Sequence, residues 1–571
     1  MRNELFGVFG DRAQFTRFCS PHRFGKVVST EHATVGIRDL GYGLPGRSDS
    51  YHGDEGSCII WGELVPEKQI GSPAERLLRR YAEIGEEAFD RLNGSYLVFV
   101  EHDGDAKVAT DAIRSWECYY TDAPGVRVFG TDASTVAQTI PDPTLNGRTL
   151  TEVTHFGIAF DDRTAFKELH RVPFDGYLTA GGTGELRRFV YEPREFDYAD
   201  ELARRLRRAI KRRIDLPGRK GLLLSAGYDS RAILSQHPRI DIGYTIGRPG
   251  CAEVDVSRKL AAQYGIDHRT LAVTNRYLDT RPEIVQYSQG VRESLHIHHR
   301  GNVDEIDVDT IYHGMLFDTL FRGFFLPGKG FELFDRTFPL RGLEANPDVS
   351  KHFSTKFGFL GDDDVLFSGC GMIDADSAEE FAHDVIQPQY DACFDRTDSK
   401  YNAMDLFAIK QKPTLPFREH LADNYVESFV AVDRDLIDWH LQTPPEHRNN
   451  RTFLKALRKL DDDILRYQPP DRPHDSFRLN QIEKFLREKI PGVPAFESSW
   501  PDKQEIYDRN NLDQKLFPGY EEVHRLPPRV KLRMNDLTTW IEFATGESRC
   551  TPDQILCPPQ YELREHDVTS D

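Results

Sequence analysis

The chain has 571 residues, more than a single hydrophobic core usually holds, and this length predicts two or three domains. Hydrophobic residues make up 39% and charged residues 29%, as in ordinary soluble globular proteins. The net charge of −19 argues against bulk binding to nucleic acid or to an anionic membrane. No signal-peptide pattern or apolar run long enough to span a bilayer is present, so a cytoplasmic location is expected. Eight scattered cysteines without a CxxC pair indicate reduced thiols.

Residues 1–195 contain short β-prone runs separated by glycine, aspartate and proline clusters, which predict strands. The clearest runs are Thr34–Ile37, Ser57–Trp61, Ser95–Val100, Val126–Phe129 and Gly176–Thr179. Apolar residues at helical spacing predict one helix among them, from Pro73 to Phe89. These elements indicate a layered α+β domain. The proline-bearing segment around Tyr191 predicts a linker after it.

A basic amphipathic helix is predicted from Asp197 to Ile214, with six arginines and one lysine. Such a run can form a nucleic-acid patch. It can equally be a solvated helix face whose long side chains cover a neighbouring layer. In an acidic chain, one short basic run favours the solvated face.

From residue 220 strands and helices alternate, which predicts a parallel sheet covered by helices. The predicted strands are Gly221–Leu224, Ile242–Ile246 and Thr310–Tyr312, and the helices after them begin at Ser230, at Val254 and near Leu316. Ligands of such sheets bind beyond the carboxyl ends of the strands. The rest, to about residue 545, has a helical pattern, and the tail beyond Cys550 is expected to be poorly ordered.

The most informative stretch is the loop Ser225-Ala-Gly-Tyr-Asp-Ser230, between a buried strand and a helix. Backbone N–H groups and the helix dipole at such a turn form an anion site. Ser225 and Ser230 can add hydroxyl donors, Gly227 allows close approach, and Asp229 can hold a Mg²⁺ ion that bridges phosphates. A simple helix cap would explain the aspartate and the serine equally well. Two serines, a glycine and an aspartate together favour the phosphate site.

This loop resembles the Ser-Gly-Gly-x-Asp-Ser pyrophosphate loop of the N-type ATP pyrophosphatases, with departures at Ala226 and Arg231. Arg231 is expected to add a positive charge near the phosphates. Later blocks narrow the resemblance to the asparagine synthetase family. They are Pro249–His268, His313–Phe324 and Arg418–Trp439. The second of these blocks aligns without gaps on the family's Ser-Gly-Glu-Gly-Ala-Asp-Glu-Leu-Phe-Gly-Gly-Tyr. Blocks similar to the family's glutaminase domain precede them at Glu75–Tyr96, Asp111–Tyr120 and Phe166–Tyr177. In total the likeness covers residues 5–545.

The resemblance implies an αββα glutaminase-like (Ntn-type) domain over residues 1–195 and a parallel-sheet α/β ATP-pyrophosphatase domain over residues 196–548, with a tail at 549–571. It implies an ATP-dependent ligase that activates a carboxylate as an acyl-adenylate and releases AMP and pyrophosphate. ATP and Mg²⁺ are the implied cofactors, and aspartate or another small carboxylate, or a peptide, is the implied substrate. No membrane or nucleic-acid partner is expected, and the likeness is compatible with a homodimer.

The same resemblance assigns roles to single residues. The nucleotide is assigned to Ser225, Gly227, Asp229, Ser230, Gly314 and Glu253. The metal is assigned to Asp229 and Asp318, and catalysis to Arg451, Lys455 and His313.

Several family positions are altered. The N-terminal nucleophilic cysteine is replaced by Phe6, which has no nucleophilic atom. The family's Asn-Gly-Glu reads Trp61-Gly-Glu63, and its Gly-Ser-Asp reads Gly71-Ser-Pro73. We therefore expect ammonia or another amine, rather than glutamine, as the nitrogen donor.

In the second half, Met315 replaces a glutamate and cannot act as a general base. His313 can substitute for it or be a hydrogen-bonded strand-end histidine, and the second interpretation is favoured. Arg451 takes the place of the family's lysine, and its permanent charge can still stabilise pyrophosphate.

The run His296-Ile-His298-His299 favours a segment that lines the acceptor pocket over a metal site. The acidic run that begins at Asp362 favours a solvated turn over a calcium loop. Two other functions stay open: a non-catalytic nucleotide-binding protein with a structural or regulatory role, and a tRNA-modifying enzyme. The acidic surface disfavours the last of these.

Overall fold

The computed structural model describes residues 3–65, 71–332, 337–360, 377–412, 414–474, 477–490, 492–498, 500–548 and 550–556. The acidic run at Asp362, Cys370 and Cys557 lie outside the described residues. The six described cysteines are unbonded and buried, as the sequence predicts. Within these ranges, none of the helices combines the length and apolar character that crossing a bilayer requires.

The N-terminal half contains two antiparallel sheets. Their strands are β1 (Glu4–Val8), β2 (Lys26–Ser29), β3 (Thr34–Arg38), β4 (Asp49–Gly53), β5 (Gly56–Leu64), β6 (Gly94–His102), β7 (Asp105–Thr110), β8 (Tyr119–Ala123), β9 (Val126–Gly130), β10 (His170–Arg171), β11 (Gly176–Thr179) and β12 (Thr183–Glu185). One sheet has the order β10-β8-β9-β1-β3-β2 and the other β12-β11-β7-β6-β5-β4. The helices of this half are α1 (Arg12–Phe18), α2 (Pro73–Ile84), α3 (Ala133–Ala137) and α4 (Gly147–Phe156).

The two sheets pack face to face around a core that includes Leu5 and Val35 from one and Leu97 and Val108 from the other. Successive side chains of a strand point to opposite faces of its sheet. Each sheet therefore has a second face with apolar residues to cover. Helix α2 covers one outer face with residues such as Leu78, and α1 and α3 cover the other. The predicted αββα layers are confirmed.

The second half is built on a parallel sheet of order β15-β14-β13-β16-β19. Its strands are β13 (Lys220–Leu223), β14 (Ile242–Gly247), β15 (Asp267–Ala272), β16 (Thr310–Tyr312) and β19 (Val426–Ser428), and a separate hairpin consists of β17 (Gly328–Glu332) and β18 (Thr337–Leu343). The helices are α5 (Tyr198–Lys211), α6 (Asp229–Gln236), α7 (Ala252–Gln263), α8 (Pro282–Val285), α9 (Phe317–Arg322), α10 (Val349–Phe357), α11 (Ala378–Asp391), α12 (Lys400–Gln411), α13 (Leu415–Asn424), α14 (Arg434–Gln442), α15 (Asn450–Leu460), α16 (Phe477–Lys489), α17 (Lys503–Arg509), α18 (Leu512–Leu516), α19 (Glu521–His524), α20 (Pro528–Thr545) and α21 (Pro552–Leu556). The predicted parallel α/β sheet is confirmed.

Some predicted boundaries are wrong for local reasons. Helix α2 ends at Ile84 because Gly85 takes a left-handed φ of 62°, and a 3-10 helix follows. The segment around Tyr191 is not a free linker, since the Tyr191 hydroxyl lies 2.9 Å from Nε2 of buried His440. The start of the tail is ordered, because Cys550 and Ile555 pack into the core beside α4.

Arginines of α5 and of the turn that follows it are engaged within the molecule. Arg213 is buried and donates to Glu63 and to Asp433, at 3.2 and 2.7 Å. Arg212 pairs with Asp433 at 2.8 Å, and Arg205 donates to the Asp435 carbonyl at 2.8 Å. This arrangement fits a helix face that binds its own neighbouring layer.

Candidate nucleotide site

The predicted phosphate loop lies at the carboxyl end of β13, the middle strand of the parallel sheet. Strand β13 ends at Leu223 and helix α6 begins at Asp229, so the turn between them is five residues long. The N-cap residue Tyr228 has an α-helical backbone and makes no side-chain hydrogen bond to the first turn of α6. The N–H groups of that turn are therefore available to an anion, which the helix dipole also favours.

Side chains within the loop hold its shape. The Ser225 N–H donates to the Ser230 hydroxyl at 3.2 Å, and the Gly227 N–H donates to the Ser225 hydroxyl at 3.2 Å. Glu253, in the first turn of α7, accepts the Ala226 N–H at 2.7 Å. A carboxylate therefore already occupies one donor of the anion site. The structure brings together Ser225, Gly227, Ser230 and Glu253 as the sequence expects.

Arg231 holds the loop through its backbone carbonyl groups. Its guanidinium donates to the carbonyl groups of Ala226 and Gly227, at 2.7 and 2.9 Å. It also reaches the carbonyl groups of Ile464 and Tyr467, at 3.1 and 2.6 Å. The side chain is fully buried, so its charge orients loop carbonyls and does not lie open to a phosphate. The positive charge of Arg231 therefore lies next to the loop, as expected, but it acts through the loop carbonyls.

Gly314 forms the wall behind the first turn of α6. A Cβ atom at this position would lie 2.9 Å from Cβ of Asp229 and 3.1 Å from the backbone N of Ser230. Only glycine lets the end of β16 approach the loop this closely. The next turn contains Leu316 with φ of 65°, a conformation that costs an ordinary side chain energy.

Asp229 and Asp318 lie close enough for each charge to influence the other. Burial is the largest cause that raises the pKa of Asp229, and Asp318 raises it further, while Arg322 opposes both; the resulting pKa is about 6. Nη1 of Arg322 donates to both carboxylate oxygens of Asp229, at 2.8 and 2.9 Å. Asp318 accepts the Thr319 N–H at 2.7 Å.

The predicted Mg²⁺ ligands can be tested against this arrangement. A divalent ion on Asp229 would need a carboxylate oxygen that now accepts from Arg322. Across the part of the chain that the structure describes, no group of three or more His, Cys, Asp or Glu side chains is placed to hold a metal. A magnesium ion at Asp229 would therefore have to displace the Arg322 guanidinium from both carboxylate oxygens.

Arg451 and Lys455 lie on α15 and differ in surroundings. Asn450, the first residue of α15, accepts a hydrogen bond from Nε of Arg322 at 2.7 Å. This contact brings the start of α15, with exposed Arg451 as its second residue, to the site. Lys455 is exposed one turn later. The pKa of Asp197 is lowered mainly by a backbone hydrogen bond from Asp200, and the charge of Lys455 lowers it further.

His313 is held at both ring nitrogens. Its Nε2 lies 2.7 Å from Oε1 of Glu427, and its Nδ1 accepts the Met315 N–H at 3.4 Å. Arg418 donates to both oxygens of Glu427, at 2.9 and 3.2 Å. Burial acts to raise the pKa of Glu427, but Arg418 and His313 outweigh it and lower the pKa to about 2. This geometry agrees with a hydrogen-bonded strand-end histidine.

The three histidines after Leu295 face different partners. His296 lies 3.1 Å from Glu293, and His298 lies 2.8 Å from the Tyr277 hydroxyl. His299 is fully buried, and its Nε2 lies 2.8 Å from Nδ1 of His420. Burial lowers the pKa of His299 well below its usual range, so the ring is neutral. The structure does not bring these imidazoles to one point.

In the N-terminal half, Phe6 occupies the position of the family's nucleophile and is fully buried. Its ring packs against Phe15 at 5.6 Å and Phe24 at 6.4 Å between centroids. Glu63 is directed to the second half, where it accepts from Arg213 and from the Ser428 hydroxyl. Ser72 caps helix α2 by accepting the Glu75 N–H at 3.2 Å. Each of these residues therefore has a partner within the protein.

The sequence interpretation missed two cations near the loop. Arg322 pairs with Asp229, and Arg472 lies 5.9 Å from the ring of Tyr228 and acts to lower the pKa of Asp229. For Arg322 a signal was present, since the family motif quoted above has glycine at this position. A charged residue in place of glycine beside a proposed phosphate site indicates altered anion chemistry.

The chain is similar to one protein family and to solved structures of amidotransferases. Residues 201–323 match the family model described as asparagine synthase. No curated protein sequence matches the chain. Among solved structures, the chain is similar to a glutamine phosphoribosylpyrophosphate amidotransferase from B. subtilis complexed with ADP and GMP, at 12% identity and a TM-score of 0.23, over 62% of this chain and 89% of that chain. A second, described as the allosteric regulatory enzyme of purine biosynthesis, has 12% identity and a TM-score of 0.23 over 62% and 88%.

Proposed function

We propose that the chain forms an amide from a carboxylate and an amine other than glutamine, in an ATP-dependent ligation. The match of residues 201–323 to the family model described as asparagine synthase supports this proposal. The observation that carries this proposal is the loop at Ser225–Ser230, with its N–H groups at the start of α6. Such a turn at the carboxyl edge of a parallel sheet is where nucleotide phosphates bind.

The proposed reaction has two steps. An oxygen of the substrate carboxylate attacks the α-phosphorus of ATP, the bond to the β-phosphate breaks, and pyrophosphate leaves. The amine nitrogen then attacks the acyl carbon, AMP leaves with its oxygen, and the nitrogen loses a proton. Aspartate with ammonia is the default substrate pair that the family implies, and a substrate with its own amine would close a ring.

The chain's own groups have separate tasks in this proposal. Ser225, Ser230 and the N–H groups of the loop bind the leaving pyrophosphate, where charge develops as the bond breaks. Arg451, at the start of α15, adds charge there. His313 positions the end of β16 through Glu427, and since both ring nitrogens are engaged we assign it no proton transfer. No step depends on a metal ion held by Asp229.

The nitrogen donor follows from the first half of the chain. Glutamine hydrolysis of the family's kind needs an accessible nucleophile, and Phe6 is an apolar side chain inside a cluster of phenylalanines. We therefore propose that the N-terminal half is structural and that ammonia or a substrate amine reaches the second half directly.

Exchange of labelled pyrophosphate into ATP, screened across a panel of carboxylic acids, tests the adenylation step. Exchange that requires one acid, is lost in Asp229→Ala and is kept in Asp215→Ala supports the proposal. Asp215 is a matched control because it is an exposed aspartate that pairs with exposed Arg239 at 2.6 Å, outside the loop.

A second candidate function is a nucleotide-binding protein without catalysis. It is favoured by Met315 at a family glutamate position and by the pairing of Asp229 with Arg322. ATP binding to the wild type without exchange for any acid in the panel would establish this alternative and refute the ligase.

A further inference from the structure

Arg322 is placed at the phosphate loop by contacts to three different elements. It is the last residue of α9, and its Nη1 donates to both oxygens of Asp229 at the start of α6. Its Nε donates to Asn450 at the start of α15, at 2.7 Å. The guanidinium carbon lies 5.8 Å from the centroid of Tyr228 and 5.9 Å from that of Phe453. The side chain is 13% exposed, so most of it is buried among these contacts.

These contacts leave part of the guanidinium open to a ligand. A guanidinium has five N–H donors in a fixed plane, and the contacts to Asp229 and Asn450 use those of Nη1 and Nε. Arginine binds phosphate oxygens with two parallel donors, and this geometry makes it a frequent phosphate ligand. The residue lies against Tyr228 and Asp229, which are members of the loop itself.

Arg322 contacts the carboxylate of Asp229, which the family resemblance assigns to a metal ion. A metal-bridged nucleotide needs a cation between the Asp229 carboxylate and the phosphates. Here a guanidinium contacts both oxygens of that carboxylate. The charge of Arg472 also acts on Asp229, so the local positive charge does not depend on Arg322 alone.

We propose that Arg322 takes the place of a protein-held divalent cation at Asp229 and that its guanidinium binds the pyrophosphate part of the nucleotide directly. This inference rests on the proposed binding of ATP at the loop. It states that the nucleotide binds without a metal bridge to the protein. Asp229 then orients the arginine and does not coordinate magnesium.

Calorimetric titration of the full chain with ATP, once in EDTA and once in excess Mg²⁺, tests the inference. The wild type should bind ATP in EDTA, within a few-fold of its affinity in Mg²⁺. Arg322→Met keeps the apolar stem against Tyr228 and Phe453 and removes the charge. Loss of a charge-assisted hydrogen bond should weaken its binding in EDTA by roughly 10- to 100-fold, and Mg²⁺ should restore much of that loss.

Two further variants keep the test decisive. Arg322→Lys retains the charge without the planar pair of donors and should show intermediate affinity in EDTA. Arg239→Met is the matched control, because Arg239 is an exposed arginine in an aspartate pair away from the loop, and it should bind like the wild type. Melting temperatures of all four proteins show whether each is folded.

The outcomes separate the inference from the proposed function. Wild-type binding that disappears in EDTA, or Arg322→Met and Arg322→Lys binding that equals the wild type in EDTA, overturns the role of Arg322 and leaves ATP binding intact. No binding of ATP by the wild type under either condition overturns the proposed function itself.

Discussion

Replacing Gly314 with alanine tests whether the loop is the nucleotide site. The added Cβ would lie 2.9 Å from Cβ and 3.0 Å from the carbonyl carbon of Asp229, and 3.1 Å from N of Ser230. Carbon atoms at rest lie about 3.5–4.0 Å apart, so the end of β16 and the start of α6 must separate by roughly half to one ångström. Backbone atoms form most of this wall, and a rotamer change cannot relieve the contact.

The shift should affect binding more than stability. Overpacking of this kind costs about 1–3 kcal/mol of folding free energy. A misplacement of about 1 Å in an active site can lower a reaction rate roughly 100-fold. For a comparable displacement of the loop, we expect the affinity for ATP to fall by about 10- to 100-fold. Titration calorimetry measures the affinity, and the melting temperature reports the stability.

Gly221→Ala is the matched control. It lies on β13 of the same sheet, and its added Cβ would meet side-chain atoms of Tyr244 and Val308, all 3.1–3.2 Å away. Some loss of stability with unchanged ATP affinity is expected. The proposed site is refuted if Gly314→Ala is destabilised yet binds ATP like the wild type. Equal loss of affinity in both variants would show that general strain in the sheet, and not the loop, controls binding.

Three further predictions concern other parts of the chain. The Phe6→Cys variant should release no ammonia from glutamine, because the position is buried. Its free energy of unfolding should fall by about 2–4 kcal/mol for the same reason. Measurable glutaminase activity would contradict this prediction. Glu253→Gln should tighten pyrophosphate binding by roughly fivefold, or about 1 kcal/mol, because the amide oxygen still accepts the Ala226 N–H but no longer places a negative charge beside the phosphates. Unchanged affinity in calorimetry would refute that repulsion. Burial raises the pKa of Asp536 to about 7 from 3.8. Between pH 4 and pH 7 the folded state therefore holds a proton that the unfolded state releases. The free energy of unfolding should fall over this range by at most about 1.4 kcal/mol per pH unit. Urea unfolding of the wild type and Asp536→Asn over that range should show the steeper fall in the wild type, and parallel curves would exclude this contribution.

Elements with a strong local pattern could be predicted from the sequence. The strand at Gly176–Thr179 and the strand at Thr310–Tyr312 have the predicted bounds, because turn residues flank β-prone runs. Strand β19 was missed, since its three residues are held by pairing with β16, more than a hundred positions earlier. Hairpin β17–β18 lies in a region predicted as helical, and its pairing also depends on contacts beyond a local window.

The candidate nucleotide site also contains some features that could be predicted from the sequence and others that could not. Ser225 to Ser230 are contiguous, and the chemistry of such a turn follows from local geometry. The pairing of Asp229 with Arg322 joins positions 93 residues apart, and no periodicity indicates it. For Arg231 the sequence shows a charge near the loop but not which groups it contacts. Only the fold shows that the loop carbonyls and the carbonyls of Ile464 and Tyr467 surround this guanidinium.

The absence of a nucleophile at Phe6 does not make the N-terminal half dispensable, because Arg418 ties it to the nucleotide half. The Arg418 guanidinium is fully buried, lies 3.9 Å from the ring centroid of Trp116, and donates to the Ser95 hydroxyl and the Ser115 carbonyl. Its other contacts are to Glu427, which holds His313 next to Gly314. Removing the first half would expose or orphan a buried charge whose partner positions the wall of the phosphate loop. A domain without its own chemistry can therefore still determine the geometry of the site in the other half.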